Sequence, residues 1–181
     1  MLRRSPRHRF LPGYVVFPGG AVEERDPELA VRWFGDSAET ARACGLRELG
    51  EEAGIVLAAG GWRVVHDPLE VVEAVGASPP AIQGMPEISH WIAPEDVPVR
   101  FDARFYAMSA PRSLEPRTEG DEAERAWWAR PLDLLEANAS GGCTLYWPTM
   151  KVLEGLAACR TVDELLAARI PQIEPDVQIV G

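Results

Sequence analysis

The sequence predicts an α/β (α+β) fold, an α/β/α sandwich built over a mixed β-sheet, in one domain spanning residues 1–181. Three observations predict it. Short stretches that alternate or run apolar recur along the chain, helix-start signals fall between them, and no repeat or low-complexity linker divides them.

The elements follow in order. Met1 to Arg4 leads into a polar loop, Ser5-Pro6-Arg7-His8-Arg9, too short and polar to promise more than the remnant of a strand. Tyr14 to Phe17 reads as a short strand ending at Pro18-Gly19-Gly20, a turn whose backbone can approach a ligand closely. Pro27 to Phe34 reads as a short helix. Asp36-Ser37-Ala38-Glu39 has the form of a capping box that starts a longer helix, and Gly54 is placed to end it. Gly45 and Gly50 inside that helix cost about 1 kcal/mol each relative to Ala, so close packing or ligand approach must favour them. Trp62 to His66, Leu69 to Val75 and Ile88 to Ile92 have strand patterns. Arg100 to Met108 alternates, with Phe101, Ala103 and Phe105 on one face and Arg100, Asp102, Arg104 and Tyr106 on the other. A strand around Ala126 to Ala129 meets Pro131, a good first residue for a helix over Leu132 to Ala137. The C-terminal helices, at about residues 149–169, cover Thr149 to Cys159 and Leu165 to Ala168, the second opened by Thr161 and Glu164.

A chain of 181 residues can bury about 70% of its unfolded surface. Its 46% hydrophobic and 25% charged content is ordinary for a globular protein. The formal charge of −10 argues against non-specific binding to nucleic acid or anionic membranes, and it means that an anionic substrate needs local cations. Cys44, Cys143 and Cys159 are odd in number and widely spaced, so they read as thiols in a reducing compartment. With no signal peptide or membrane span in the sequence, the cytoplasm is the expected location.

The densest pattern is Arg47-Glu48-Leu49-Gly50-Glu51-Glu52-Ala53-Gly54-Ile55. On a helix Glu48, Glu51 and Glu52 sit at i, i+3 and i+4, within an arc of roughly 100°, while Leu46, Leu49 and Ala53 take a neighbouring arc that can face inward. Three clustered carboxylates repel one another and raise each other's pKa, a penalty that a hard divalent cation removes. A solvated acidic surface is the plain alternative for any Glu-rich helix. Against it, Arg-Glu-x-x-Glu-Glu-x-Gly should arise by chance in roughly one chain in ten thousand of this length.

These residues resemble the Nudix box, Gly-x5-Glu-x7-Arg-Glu-U-x-Glu-Glu-x-Gly-U, with U aliphatic. Arg47, Glu48, Leu49, Glu51, Glu52, Gly54 and Ile55 match its second half. Gly20 fits the opening glycine and Asp26 stands where the first acid belongs, but the box would put its Arg at position 34, and the residue there is Phe34. An insertion of 13 residues, within Arg25 to Glu39, splits the box. Phe17-Pro18-Gly19-Gly20, Trp91-Ile92-Ala93-Pro94, Arg100-Phe101-Asp102-Ala103-Arg104-Phe105 and Trp147-Pro148-Thr149 resemble segments of the branch that includes coenzyme A diphosphatases. The resemblance implies a Nudix-like sandwich whose usual N-terminal strand is partly missing. Either the chain starts late or a partner subunit, as in a homodimer, covers the sheet edge.

The chemistry implied is Mg²⁺-dependent (or Mn²⁺-dependent) hydrolysis of a small-molecule diphosphate. Glu51 and Glu52 are the expected metal ligands, and Glu48 is a third ligand or the general base. Arg47 can hold Glu51, four residues on, by a charge-assisted bond. By resemblance the Gly20 carbonyl is a metal ligand and Asp26 the counterpart of the first box acid. The acidic run from Glu119 to Glu124 is the source of a further ligand, Glu122 being chosen over Glu119 and Glu124. Arg100 and Arg104 could grip phosphates, although pairing with Asp102 explains them more simply. Trp33, Phe34 or Trp127 could stack on a base, but packing is the commoner fate of such side chains. His8, His66 and His90 form no ligand set. The substrate expected is a nucleoside diphosphate linked to another moiety, such as coenzyme A or an acyl-CoA. ADP-ribose or NADH, or a non-catalytic nucleotide-binding module, are the alternatives.

Overall fold

The computed structural model describes residues 1–58, 60–67, 70–71, 85–93, 100–118 and 121–173. In chain order the elements are β1 (Leu2–Arg4), β2 (Val15–Val16), α1 (Asp26–Phe34), a 3-10 turn (Ser37–Glu39), α2 (Thr40–Ala53), β3 (Ile55–Ala58), β4 (Gly61–Val64), β5 (Glu87–Ile92), β6 (Asp102–Tyr106), β7 (Ala123–Ala126), α3 (Pro131–Ala139), α4 (Trp147–Ala157) and α5 (Val162–Ala167). Among the described residues the strands form three antiparallel sheets, β2-β1-β7, β3-β4 and β5-β6. Parallel pairing is limited there to two single bridges, Val15 with Leu145 and Ser89 with Ile170.

The α/β layering expected from the sequence is present. Val16 and Leu2 face α2 and meet Leu49 and Ala53, whereas Val15 faces the other way, onto Leu134 of α3 and Leu153 of α4. Strand β6 splits in the same manner. Tyr106 packs on the α1–α2 side, while Phe101, Ala103 and Phe105 join Ile88, Trp91 and Val152 on the side of α4 and α5. No helix among the described residues is long and apolar enough to cross a membrane.

The N-terminal strand is short but central. Residues 2 to 4 form β1, the middle strand of its sheet, with Leu2 opposite both Val16 and Ala126. Leu2 and Val15 are fully buried, each such burial being worth roughly 1.5–3 kcal/mol, and that packing stabilises a strand whose own letters look like loop. The uncovered edge that suggested a partner subunit is not at β1.

Other boundaries move slightly. Strand β7 lies three residues earlier than expected, and Trp128 is exposed beyond it, its indole N–H donating to the Leu114 carbonyl at 2.6 Å. Asp36 does cap, accepting from Ala38 N–H at 2.9 Å, but it caps the 3-10 turn, and Glu39 pairs instead with Arg42 at 2.9 Å. Helix α2 ends as expected at Gly54, whose φ is 64° and whose N–H returns to Gly50 and Leu49. Gly50 answers to packing, since a Cβ there would lie 2.5 Å from a Val71 methyl. Nothing so close surrounds Gly45. Of the strand expected over Leu69 to Val75, Leu69 and residues 72–75 lie outside the described residues.

Helix α1 is the inserted segment. Pro27 opens it, Gly35 closes it, and Leu29, Ala30 and Trp33 are buried against Ala43 and Leu46 of α2. That packing fixes the residues just before α1 beside the glutamates.

Candidate metal and phosphate site

Arg47 organises the site from beneath. Its side chain is 1% exposed, and burying a guanidinium requires that its donors be met. Asp26, fully buried at the start of α1, accepts from Nε at 2.8 Å and from Nη2 at 3.0 Å in a forked pair. Nη2 also donates to the Ala21 carbonyl at 3.2 Å. Nη1 donates to Glu48 Oε1 and to Glu51 Oε2, both at 2.8 Å. The bond to Glu51 is the one the i, i+4 spacing implied, and the bond to Glu48 is additional. Burial opposes the charge on Asp26, yet the bonds from Arg47 and the Glu23 N–H hold its pKa below the ordinary value. Arg47 is held above its ordinary value by Asp26 and Glu51, against the effect of burial.

The Pro18-Gly19-Gly20 turn closes over the glutamates. Gly19 N–H donates to Glu52 Oε2 at 2.7 Å. A Cβ on Gly20 would sit 2.6 Å from the Glu48 carboxylate carbon, so a larger residue would push the end of the Glu48 side chain aside. The Gly20 carbonyl accepts from the Cys44 thiol at 3.8 Å. Burial pushes that thiol up to about 12, with the charge of Asp26 adding to it, so Cys44 stays protonated and serves packing.

Burial raises the Glu48 pKa, opposed by Arg47 and aided by Glu51. It pushes Glu52 up to about 7, opposed by the Gly19 N–H and Arg4 and aided by the charges of Glu48 and Glu122. Glu122, just before β7, is therefore within electrostatic range of Glu52, and its carbonyl accepts from Ser5 N–H at 2.9 Å. Glu124 lies on β7, exposed, and Glu119 is outside the described residues. Strands β2 and β7 flank β1, with the Gly19–Gly20 turn following the Leu2 end of that sheet and Glu122 preceding its Arg4 end.

Other candidates lie elsewhere. Arg104 pairs with Glu87 at 2.9 Å and approaches Asp102 at 3.9 Å, both on the β5–β6 hairpin, and Arg100 is exposed at its edge. His90 Nε2 is 2.5 Å from Asp102 Oδ1. Trp33 is buried in the core, Phe34 packs beside it, and Trp127 lies under Arg125. The sequence reading missed what joins Asp26 to Arg47 and what joins Arg25 to Glu51, where Arg25 Nη2 donates to Oε1 at 2.7 Å. A signal existed for the first: an inward-facing Arg needs a buried acid, and Asp26 stands six residues after Gly20, ahead of the insertion.

Among the described residues no three His, Cys, Asp or Glu side chains are gathered closely enough to hold a metal ion. Glu48 and Glu51 turn to Arg47, and Glu52 to Gly19. The donor set nevertheless suits a hard divalent cation: neighbouring carboxylates, two of them with pKa values raised chiefly by burial, with a backbone carbonyl beside them.

No family model matches the chain. It is 26% identical over 179 residues to a Caenorhabditis elegans protein named "Putative nudix hydrolase 7", covering 90% of this chain and 57% of that protein. The chain thus spans little more than half the length of that relative. The crystal structure of a NUDIX hydrolase from Alicyclobacillus acidocaldarius superposes with a TM-score of 0.76 and 29% identity, over 93% of this chain and 87% of the other. The relative and the structural neighbour together support the Nudix hydrolase superfamily for this chain, and the fold is that of a Nudix hydrolase.

Proposed function

We propose that this chain is a divalent-metal-dependent hydrolase that cleaves the diphosphate bond of a nucleoside diphosphate linked to another moiety. Coenzyme A or an acyl-CoA is the substrate to test first, on the branch resemblance, and ADP-ribose and NADH are the alternatives. The observation that carries the reading is the clasp of the Gly19–Gly20 backbone on Glu48 and Glu52. A turn with no side chains brings its backbone close to neighbouring carboxylates, hard ligands of the kind that share a cation with phosphate oxygens.

Glu52, Glu48, Glu51, Glu122 and the Gly20 carbonyl would hold the metal, Mg²⁺ or Mn²⁺. Bound there, it would supply a water of lowered pKa and neutralise charge on the phosphates. Glu48, whose pKa burial raises, is suited to take a proton from water if it is not itself a ligand. Arg47 acts through others, orienting Glu48 and Glu51. Arg104 on β6 and Arg100 just before it would meet the phosphates, Arg104 by exchanging Glu87 for substrate. Such a protein would work on small molecules in the cytoplasm.

The test is phosphate-coupled turnover on a panel of coenzyme A, acyl-CoA, ADP-ribose and NADH with Mg²⁺, comparing wild type with Glu52→Gln. Turnover on at least one member, lowered about a hundredfold or more by the substitution, is expected. Equal rates for the two proteins would remove Glu52 from the mechanism. No metal-dependent turnover on any member would count against the hydrolase reading.

A further inference from the structure

Both carboxylate oxygens of Glu51 are held by guanidinium groups. Arg47 Nη1 donates to Oε2 at 2.8 Å, and Arg25 Nη2 donates to Oε1 at 2.7 Å. The two arginines are not equally fixed. Arg47 is buried and forked onto Asp26, so moving it would strand a buried carboxylate. Arg25 has a side chain 46% exposed and a second partner, Glu23, itself 51% exposed, which accepts from Nε at 2.8 Å. An exposed pair of this kind is weak and can be exchanged at little cost. Arg25 also sits within the inserted segment, where the packing of α1 on α2 holds it against the glutamates.

We propose that Arg25 is a displaceable internal counter-ion that competes with the divalent metal for Glu51. In the metal-free protein its guanidinium neutralises the most exposed acid to which Arg47 donates. For Glu51 to serve as a ligand through Oε1, Arg25 must swing off it, and Glu23 keeps the released group close by. Arg25 thereby sets the metal affinity of the site, and the insertion has a job: it delivers this arginine. The inference rests on reading the α2 glutamates as a metal site.

The experiment is calorimetric titration of the full chain with Mn²⁺ and Mg²⁺ alone, for wild type, R25A, R25K and E52Q, with circular dichroism to verify folding. R25A is expected to bind metal about two- to fivefold tighter than wild type, the range an exposed ion pair permits. R25K, which keeps the charge, should stay near wild type. The gap between wild type and R25A should narrow as NaCl rises from about 50 to about 500 mM, because screening weakens the competing pair. Loss of binding in E52Q with R25A unchanged or weaker overturns the competition while leaving the metal site standing. Absence of metal binding by wild type overturns both.

Discussion

Arg47 and Arg104 each project from regular structure onto acids less than 3 Å away, yet they do different physical work. Arg47 is 1% exposed and meets Asp26, Glu48 and Glu51. Arg104 is 40% exposed and meets Glu87, with Asp102 beyond it. Water competes for every bond that Arg104 makes and for almost none of those that Arg47 makes. An ion pair in contact with solvent is worth little, whereas breaking a buried one leaves a charge that nothing else can solvate. The difference teaches that the glutamate helix is anchored from beneath, through the insertion, and that the charged surface of the β5–β6 hairpin is free to vary or to be borrowed by a ligand.

Arg47→Ala should produce the largest effect, a loss of about 3–5 kcal/mol in denaturant unfolding, because Asp26 would remain buried and unpaired. A loss below about 1 kcal/mol would make this pair no heavier than a surface one and sink the comparison.

The ionisation of Glu52 should come next. Its pKa in the folded protein is raised from 4.5 to about 7, so its contribution to stability is full below the unfolded value and is lost as pH rises between the two. Metal-free wild type should therefore lose stability relative to Glu52→Gln between pH 4.5 and 7, and Mg²⁺ affinity should climb over the same range as the carboxylate becomes free to bind. Parallel unfolding curves for the two proteins at pH 5 and pH 7.5 would show that Glu52 ionises normally. Asp26 has the opposite sign: its pKa is lowered, so its stabilisation is present above its ordinary value of 3.8 and fades as pH falls below it.

Arg104→Ala should change stability least, by under about 1 kcal/mol, with the effect shrinking further in salt. Its use is in sharpening substrate contact: KM on the best substrate rising while stability holds would assign Arg104 to phosphate, and unchanged kinetics would leave it as a surface pair.

What could be read from the letters depended on how far apart the partners lie. Helix α2 was legible because Glu48, Glu51 and Glu52 meet at local spacing and Gly54 stops the helix by its own backbone geometry. The alternation of β6 was legible for the same reason. Strand β1 was not, since Leu2-Arg3-Arg4 carries almost no strand signal and becomes a strand by pairing on both sides with segments 12 to 14 and more than 100 residues away. Strand β7 was misplaced because Trp127-Trp128 looks like the core of a strand, whereas Trp128 is 55% exposed and the pairing runs through Ala123 to Ala126. The acids of the site were nameable, and local spacing paired Arg47 with Glu51, but the pairs Asp26–Arg47 and Arg25–Glu51 were not legible, because Asp26 and Arg25 reach α2 across a folded insertion.

That insertion has one more consequence. Lengthening a connection costs only about 0.6 kcal/mol per doubling, so the stretch of chain between Asp26 and Arg47 can vary widely at small expense. What cannot vary is the reach of one guanidinium, 2.8 and 3.0 Å from the two Asp26 oxygens. A signature of this kind is better written as a distance in space than as a count of letters. Searching for an aspartate that can touch the arginine of an Arg-Glu-x-x-Glu-Glu helix would recognise arrangements that a fixed-gap pattern passes over.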